Sequence, residues 1–182
     1  MREVSKSMRD LAGRELRWTQ PGVMRREYEL QDGGETIAAL RFESAFGSGA
    51  TAESPEGTWT FKRVGFWQPR VTVRAAGTDS DIASFTHSLW SAGGTLELPD
   101  GRRIRTSTNF WGSSYELKSE EGESLVRFSK VGGVLHASSR VEITPAGARL
   151  KEPPWLVPLG WYLALKMRDD AAGGGAAAAA AG

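Results

Sequence analysis

Apolar and polar positions alternate along most of this chain. From Arg14 onward, short runs of period two are separated by turn signals about every 8–12 residues, a texture that predicts an all-β sandwich or barrel. Arg26 to Leu30 and Glu35 to Phe42 flank the hairpin turn Asp32-Gly33-Gly34. Gly49 to Ser54 and Gly57 to Arg63 flank Pro55-Glu56, with Trp59 and Phe61 on one face and Thr58, Thr60 and Lys62 on the other. Arg70 to Ala75 follow Phe66-Trp67-Gln68-Pro69, and Asp81 to Trp90 follow Gly77-Thr78-Asp79. Gly94 to Leu98 and Arg102 to Ser107 flank Pro99-Asp100-Gly101; Ser113 to Lys118 and Ser124 to Lys130 flank Glu120-Glu121-Gly122. After the turn at Gly132-Gly133, Leu135, Ala137, Ser139, Val141 and Ile143 face one side and the intervening polar residues the other. A half-buried strand with one wet face reads this way. The total is about eleven to thirteen strands.

The alternation stops at Pro153. From Trp155 to Leu165 the apolar residues cover every direction of a 3.6-residue period, as in a helix buried on all sides. A membrane span needs about 20 apolar residues, and a run of about 10–14 reads as a core helix. Pro158 suits the first helical position, and Lys166 and Arg168 suit the last turn, where positive charge meets the helix dipole.

Eight strands close a barrel that side chains alone can fill, whereas about twelve leave a channel. A helix of about 15 residues is roughly 22 Å long, which matches strands of about six or seven residues. The expected architecture is mainly β: a closed antiparallel β-barrel of about 12 strands around a buried apolar C-terminal helix. The expected organisation is a flexible N-terminal segment at 1–13, a barrel at 14–168 with its central helix at 154–168, and a disordered Ala/Gly tail at 169–182. Val4, Met8 and Leu11 share helical spacing near the N-terminus. Three apolar residues bury too little area to hold that segment in place, so it is read as frayed or loosely docked. A short amphipathic helix touching a membrane is the other reading.

Composition removes several function classes. The 182 residues fit one domain. A net charge of +1 gives no field to draw in nucleic acid. The absence of cysteine excludes disulfides, thiolate zinc sites and cysteine nucleophiles. No N-terminal apolar region reads as a secretory signal and no segment reads as a transmembrane span, so the expected location is cytoplasmic, with membrane-peripheral attachment as an option.

A strand-rich chain that closes on the apolar run Pro153 to Arg168, with patches such as Gly57-Thr58-Trp59-Thr60-Phe61-Lys62-Arg63 and Asp100-Gly101-Arg102, resembles the tubby C-terminal-like superfamily over about Arg14 to Arg168. That superfamily includes the phospholipid scramblases and the LURP-one-related proteins. The resemblance implies a non-enzymatic role and, in one branch, binding of phosphoinositides or other membrane lipids. It transfers no lipid-contacting residue to this chain.

The chain's own chemistry agrees with a non-enzyme. His87 and His136 belong to no metal-binding pattern, Gly47-Ser48-Gly49 and Gly112-Ser113-Ser114 lack the strand–Ser–helix setting of a nucleophile, and Glu120, Glu121 and Glu123 read as a solvated turn. No cofactor is expected. The candidate site is basic. Arg102, Arg103 and Arg105 follow one turn, Lys62 and Arg63 end a strand, and Arg70 and Arg74 alternate along another. Brought together, they would hold an acidic phospholipid, at about 1 kcal/mol per cation near an anionic membrane. The competing reading is strand-end charge that discourages edge pairing. In Asn109-Phe110-Trp111-Gly112, two adjacent aromatics cannot both face inward, so one is free to meet lipid or a partner unless a neighbouring loop covers it. The expected function is a binding module for acidic lipid headgroups or a protein partner through the outer surface. The alternative is a hollow, lipocalin-like barrel that binds an apolar small molecule, with the C-terminal helix outside.

Overall fold

The computed structural model describes residues 6–88, 93–109, 111–133 and 135–180, with side chains as far as residue 173. A short 3-10 turn, Met8–Leu11, precedes twelve strands. These are β1 (Leu16–Thr19), β2 (Glu27–Asp32), β3 (Glu35–Phe42), β4 (Ala50–Ser54), β5 (Gly57–Val64) and β6 (Arg70–Ala75) in the first half. The second half has β7 (Asp81–His87), β8 (Gly93–Glu97), β9 (Arg103–Thr108), β10 (Ser114–Ser119), β11 (Ser124–Gly132) and β12 (Ser138–Ile143). Two helices follow, α1 (Pro145–Ala148) and α2 (Pro153–Ala180). Each strand pairs antiparallel with the next in sequence, and β1 pairs with β12 through Leu16 opposite Val141 and Trp18 opposite Ser139, so the barrel is closed.

Closure leaves no sheet edge to cap. It also sorts the connections. In an up-and-down barrel every loop that follows an odd-numbered strand lies at one end, and every loop that follows an even-numbered strand lies at the other. The first end is called the crown below, the second the base. One two-residue base turn, Gly33-Gly34, has both residues at positive φ (59° and 95°), a hairpin geometry that glycine adopts without strain.

The lumen is filled by α2. Leu156, Val157, Leu159, Trp161 and Tyr162 have no exposed surface, and Trp155, Leu163, Ala164 and Leu165 are buried beside them. Trp161 stacks on Trp18 of β1 with ring centroids 6.1 Å apart and meets the edge of Tyr28 of β2. Tyr162 stacks on Phe42 at 5.5 Å and leans on Phe61. The wall there is eased by the small residues Ala38, Ala50 and Ala52. On the opposite side the sizes reverse: the helix offers Gly160 and the wall offers Phe128 and Leu117. Large meets small around the helix, which is how a close-packed interior is reached.

Four local expectations are corrected. Pro158 lies inside α2, whose first residue is Pro153; its missing N–H removes one bond from the second turn. Leu135 belongs to the loop before β12, which begins at Ser138, and is 74% exposed. The helix runs on past Arg168 to Ala180 where a disordered tail was expected; alanine's helix propensity carries it across Gly173 to Gly175. Met8 and Leu11 are buried, not frayed. Their turn packs on α1 and the start of α2 and is tied to the β4–β5 turn, where Glu56 accepts bonds from Ser7 Oγ (2.7 Å) and Met8 N–H (2.9 Å). Hydrogen bonding supplies what three apolar side chains alone do not. Met1 to Ser5 and the Leu89-Trp90 end of the strand expected from Asp81 to Trp90 lie outside the described residues.

Candidate anion-binding wall

The strand order divides the seven basic residues. Arg102 sits at the base, where Nε donates to Asp100 (2.8 Å) and the guanidinium also reaches the buried carboxylate of Glu152, just before α2. Both bonds favour its charged form, the one to Glu152 more strongly. Arg74 pairs with Asp81 at 2.6 Å across β6 and β7. Arg63 belongs to the same face of β5 as the buried Trp59 and Phe61, and meets Asp170 of α2 at 3.5 Å. Lys62 lies on the outer face of β5, opposite Thr72. Arg102 and Arg63 are thus drawn elsewhere, whereas Lys62 and Arg74 flank Thr72 on the same outer face as Arg70, with Lys62 one strand away.

Three others do share a wall. Arg70 opens β6, and Arg103 and Arg105 lie on β9, with β7 and β8 between them. The register lines up Arg70, Thr86, Thr95 and Arg105 across four neighbouring strands. Three inter-strand steps separate the two arginines by roughly 14 Å. The intervening strands put the short hydroxyl side chains Ser84, Thr86 and Thr95 outward here, together with Glu97 and with Asp81, which Arg74 engages. The outcome is a pair of shallow hollows of about 400 and 410 Å³, bounded by Arg70 on one side and by Arg103 and Arg105 on the other. Glu97 stands between them and engages Arg103 at 3.5 Å. Among the described residues, Arg70 and Arg105 have no ion-pair partner, and both are exposed. A phosphate between them would meet two guanidinium forks and two hydroxyl donors, a chemistry suited to bidentate, charge-assisted bonds.

His87 lies where this wall meets the crown, half-buried, with its ring edge-on to Phe85 at 4.9 Å. Burial, and then the nearby Arg63, hold its pKa below the ordinary histidine value. His136 rests on the Gln20 carbonyl, with Nδ1 at 2.9 Å. No group of acidic, histidine or cysteine side chains among the described residues could hold a metal ion.

The filled lumen leaves no room for the hollow-barrel alternative, which required α2 to lie outside. A crevice of about 570 Å³ borders the helix at the crown, between Trp111, Tyr115, Val131, Ala164, Met167 and Arg168, and another of about 430 Å³ borders Trp155 at the base. Tyr162 is held at that end by donating its hydroxyl to the Ser48 carbonyl at 2.6 Å. Burial keeps the phenols of Tyr115 and Tyr162 well above the ordinary tyrosine range, so both stay neutral. Trp111 is 83% exposed; Phe110 lies outside the described residues.

Reading the strands one by one missed the hydroxyl floor. The signal was present, since Ser84, Thr86 and Thr95 are the outward positions of two strands that sequence order already placed between the arginines. No protein-family model, curated protein or solved structure matches this chain.

Proposed function

We propose that this protein is a non-enzymatic binding module of tubby-like type that takes anionic, phosphate-bearing headgroups on its outer wall, peripheral to a membrane. The observation that carries the reading is the pairing of two uncommitted arginines, Arg70 and Arg105, across a floor of Thr86 and Thr95. The barrel's construction supports it indirectly. A lumen packed with α2 offers no interior ligand site, so binding falls to the outside. A closed meander of twelve strands around a terminal helix is also the architecture that the superfamily resemblance implies.

Titration of the protein with inositol trisphosphate and with glycerol phosphate tests the site in solution. Arg70→Ala/Arg105→Ala is expected to weaken binding at least about tenfold, since each charge-assisted bond contributes roughly 1.5–3 kcal/mol. Arg102 is left intact because it serves Glu152. Absence of binding to either probe, or binding that the double variant leaves unchanged, would overturn the reading in favour of a protein partner.

A further inference from the structure

Seven large apolar side chains are exposed among the described residues: Val23, Met24, Phe46, Phe66, Trp67, Trp111 and Leu135. Every one lies in a loop that follows an odd-numbered strand. Val23 and Met24 follow β1, Phe46 follows β3, Phe66 and Trp67 follow β5, Trp111 follows β9 and Leu135 follows β11. The up-and-down topology therefore gathers all of them into one ring, at the crown. Five of the seven are at least 83% exposed, and Phe46 reaches 99%. Scattered exposed apolar residues need no explanation, but a set confined to one end marks an interaction surface.

Charge is polarised along the same axis. The six crown loops contain one carboxylate, Glu43, against Arg25 and Arg26. From β2 to the start of α2, the base connections contain Glu56, Asp79, Asp100, Glu120, Glu121, Glu123 and Glu152 against Arg102, Arg149 and Lys151, still an excess of acid. Two more acidic residues reach the crown on α2, and both are engaged there: Asp169 by Arg26 at 2.7 Å and by Lys166 at 3.5 Å, and Asp170 by Arg63 at 3.5 Å. Beyond Asp170 the sequence of α2 contains only alanine and glycine, so it brings no further charge to the centre of the ring.

We infer that the crown is a bilayer-docking face, which inserts its loop-tip aromatics among the headgroups of an anionic phospholipid membrane. The inference rests on the reading of the barrel as a lipid-binding module and adds the face that meets the bilayer. Side chains spread over five loops fit a fluid surface, which needs no matching shape. Tryptophan and phenylalanine at the tips suit the membrane interface, where an amphipathic ring is favoured. The polarity of charge turns this end toward anionic lipid and the base away from it. The two sites are also joined in the chain. Arg70 follows Trp67 by three residues, so no more than about 11 Å of chain separates an inserted tip from the arginine of the wall.

The experiment uses the full chain with vesicles of phosphatidylcholine, with and without phosphatidylserine, made once with ordinary and once with brominated acyl chains. Trp18, Trp59, Trp155 and Trp161 are buried, so quenching by brominated chains reports on crown tryptophans. The inference expects vesicle pelleting that rises with phosphatidylserine, together with quenching. Phe66→Ser/Trp67→Ser is expected to weaken pelleting at least about tenfold, and Trp67→Ser/Trp111→Ser to reduce the quenching. Circular dichroism of each variant, matched to the parent, shows that the barrel is intact. Vesicle binding without quenching, binding insensitive to Phe66→Ser/Trp67→Ser, or a solution dimer that this variant abolishes would overturn the docking face. The headgroup reading is decided separately, by the soluble phosphates and Arg70→Ala/Arg105→Ala. Quenching without soluble-phosphate binding would sink that reading and keep the crown, and the opposite pattern would do the reverse.

Discussion

The Arg102 guanidinium spans 50 positions of sequence to reach Glu152, while Arg105, three residues further on, has no ion-pair partner among the described residues. The pattern Arg-Arg-x-Arg gave no means of telling them apart, because the partner that commits Arg102 arrives only when the chain turns into α2. Glu152 is 3% exposed, its Oε2 has no hydrogen-bond partner among the described residues, and its carbonyl receives the first amides of α2, from Trp155 and Leu156. Removing Arg102 would leave that carboxylate buried without compensation. Breaking a fully buried pair costs about 3–5 kcal/mol. Arg102 is itself partly in water, which lowers the expected loss for Arg102→Ala to about 1–3 kcal/mol. Arg105→Ala should stay within about 0.5 kcal/mol. Urea unfolding of the two variants checks the contrast. Adding Glu152→Gln to Arg102→Ala should recover part of the loss, because it removes the buried charge. Equal stability of Arg102→Ala and Arg105→Ala would show that the Glu152 contact contributes nothing.

At the scale of the element, α2 is where sequence and structure agree best. An apolar run with no polar face has one stable place in a protein of this composition, and the tally of strands was enough to supply it. What periodicity could not show is how the helix is turned inside the barrel, because that depends on the size of each wall residue. Gly160 fixes the rotation. A Cβ at this position would lie 2.6 Å from two ring carbons of Phe128 and 3.2 Å from Leu117, whereas one at Gly173 would meet nothing within 4 Å. Alanine is intrinsically the better helix former by about 1 kcal/mol at either position. Packing reverses that preference at Gly160, where overpacking costs typically about 1–3 kcal/mol. Gly160→Ala is therefore expected to lower the thermal midpoint and Gly173→Ala to leave it unchanged or raise it slightly. Calorimetry on the pair separates propensity from packing, and a stabilising Gly160→Ala would show that the helix can shift to another seat.

In the whole molecule, helix and barrel depend on each other, and the crown depends on both. The meander and its closing helix were legible because both are written in local period. The crown was not, since it depends on the parity of the loops: Met24, Phe46 and Trp67 are far apart in sequence and share an end only because each follows an odd strand. The middle turns of α2 hold that end together, with Tyr162 on the Ser48 carbonyl and Arg168 on the carbonyls of Gly132 and Gly133, at 3.3 and 2.8 Å. The barrel without its helix would face water with the inner sides of Trp18, Leu40, Phe61, Phe85 and Phe128. Eight of the nine apolar residues from Trp155 to Leu165 are larger than alanine, and all are buried. At the lower bound of about 1.5 kcal/mol for each side chain, they contribute on the order of 12 kcal/mol. The whole stability of a domain is typically about 5–15 kcal/mol. A chain ending at Glu152 is accordingly expected to lose its unique tertiary structure while keeping strand content. Near-ultraviolet circular dichroism should vanish, a dye that binds exposed apolar surface should be taken up, and the far-ultraviolet signal should persist in part. Leu159→Asp in the full-length chain, which puts one charge in the lumen, should move the protein the same way. A truncated chain that kept its near-ultraviolet spectrum and unfolded cooperatively would mean that the twelve strands pack without a plug, and the argument that places function on the outer surface would lose its premise.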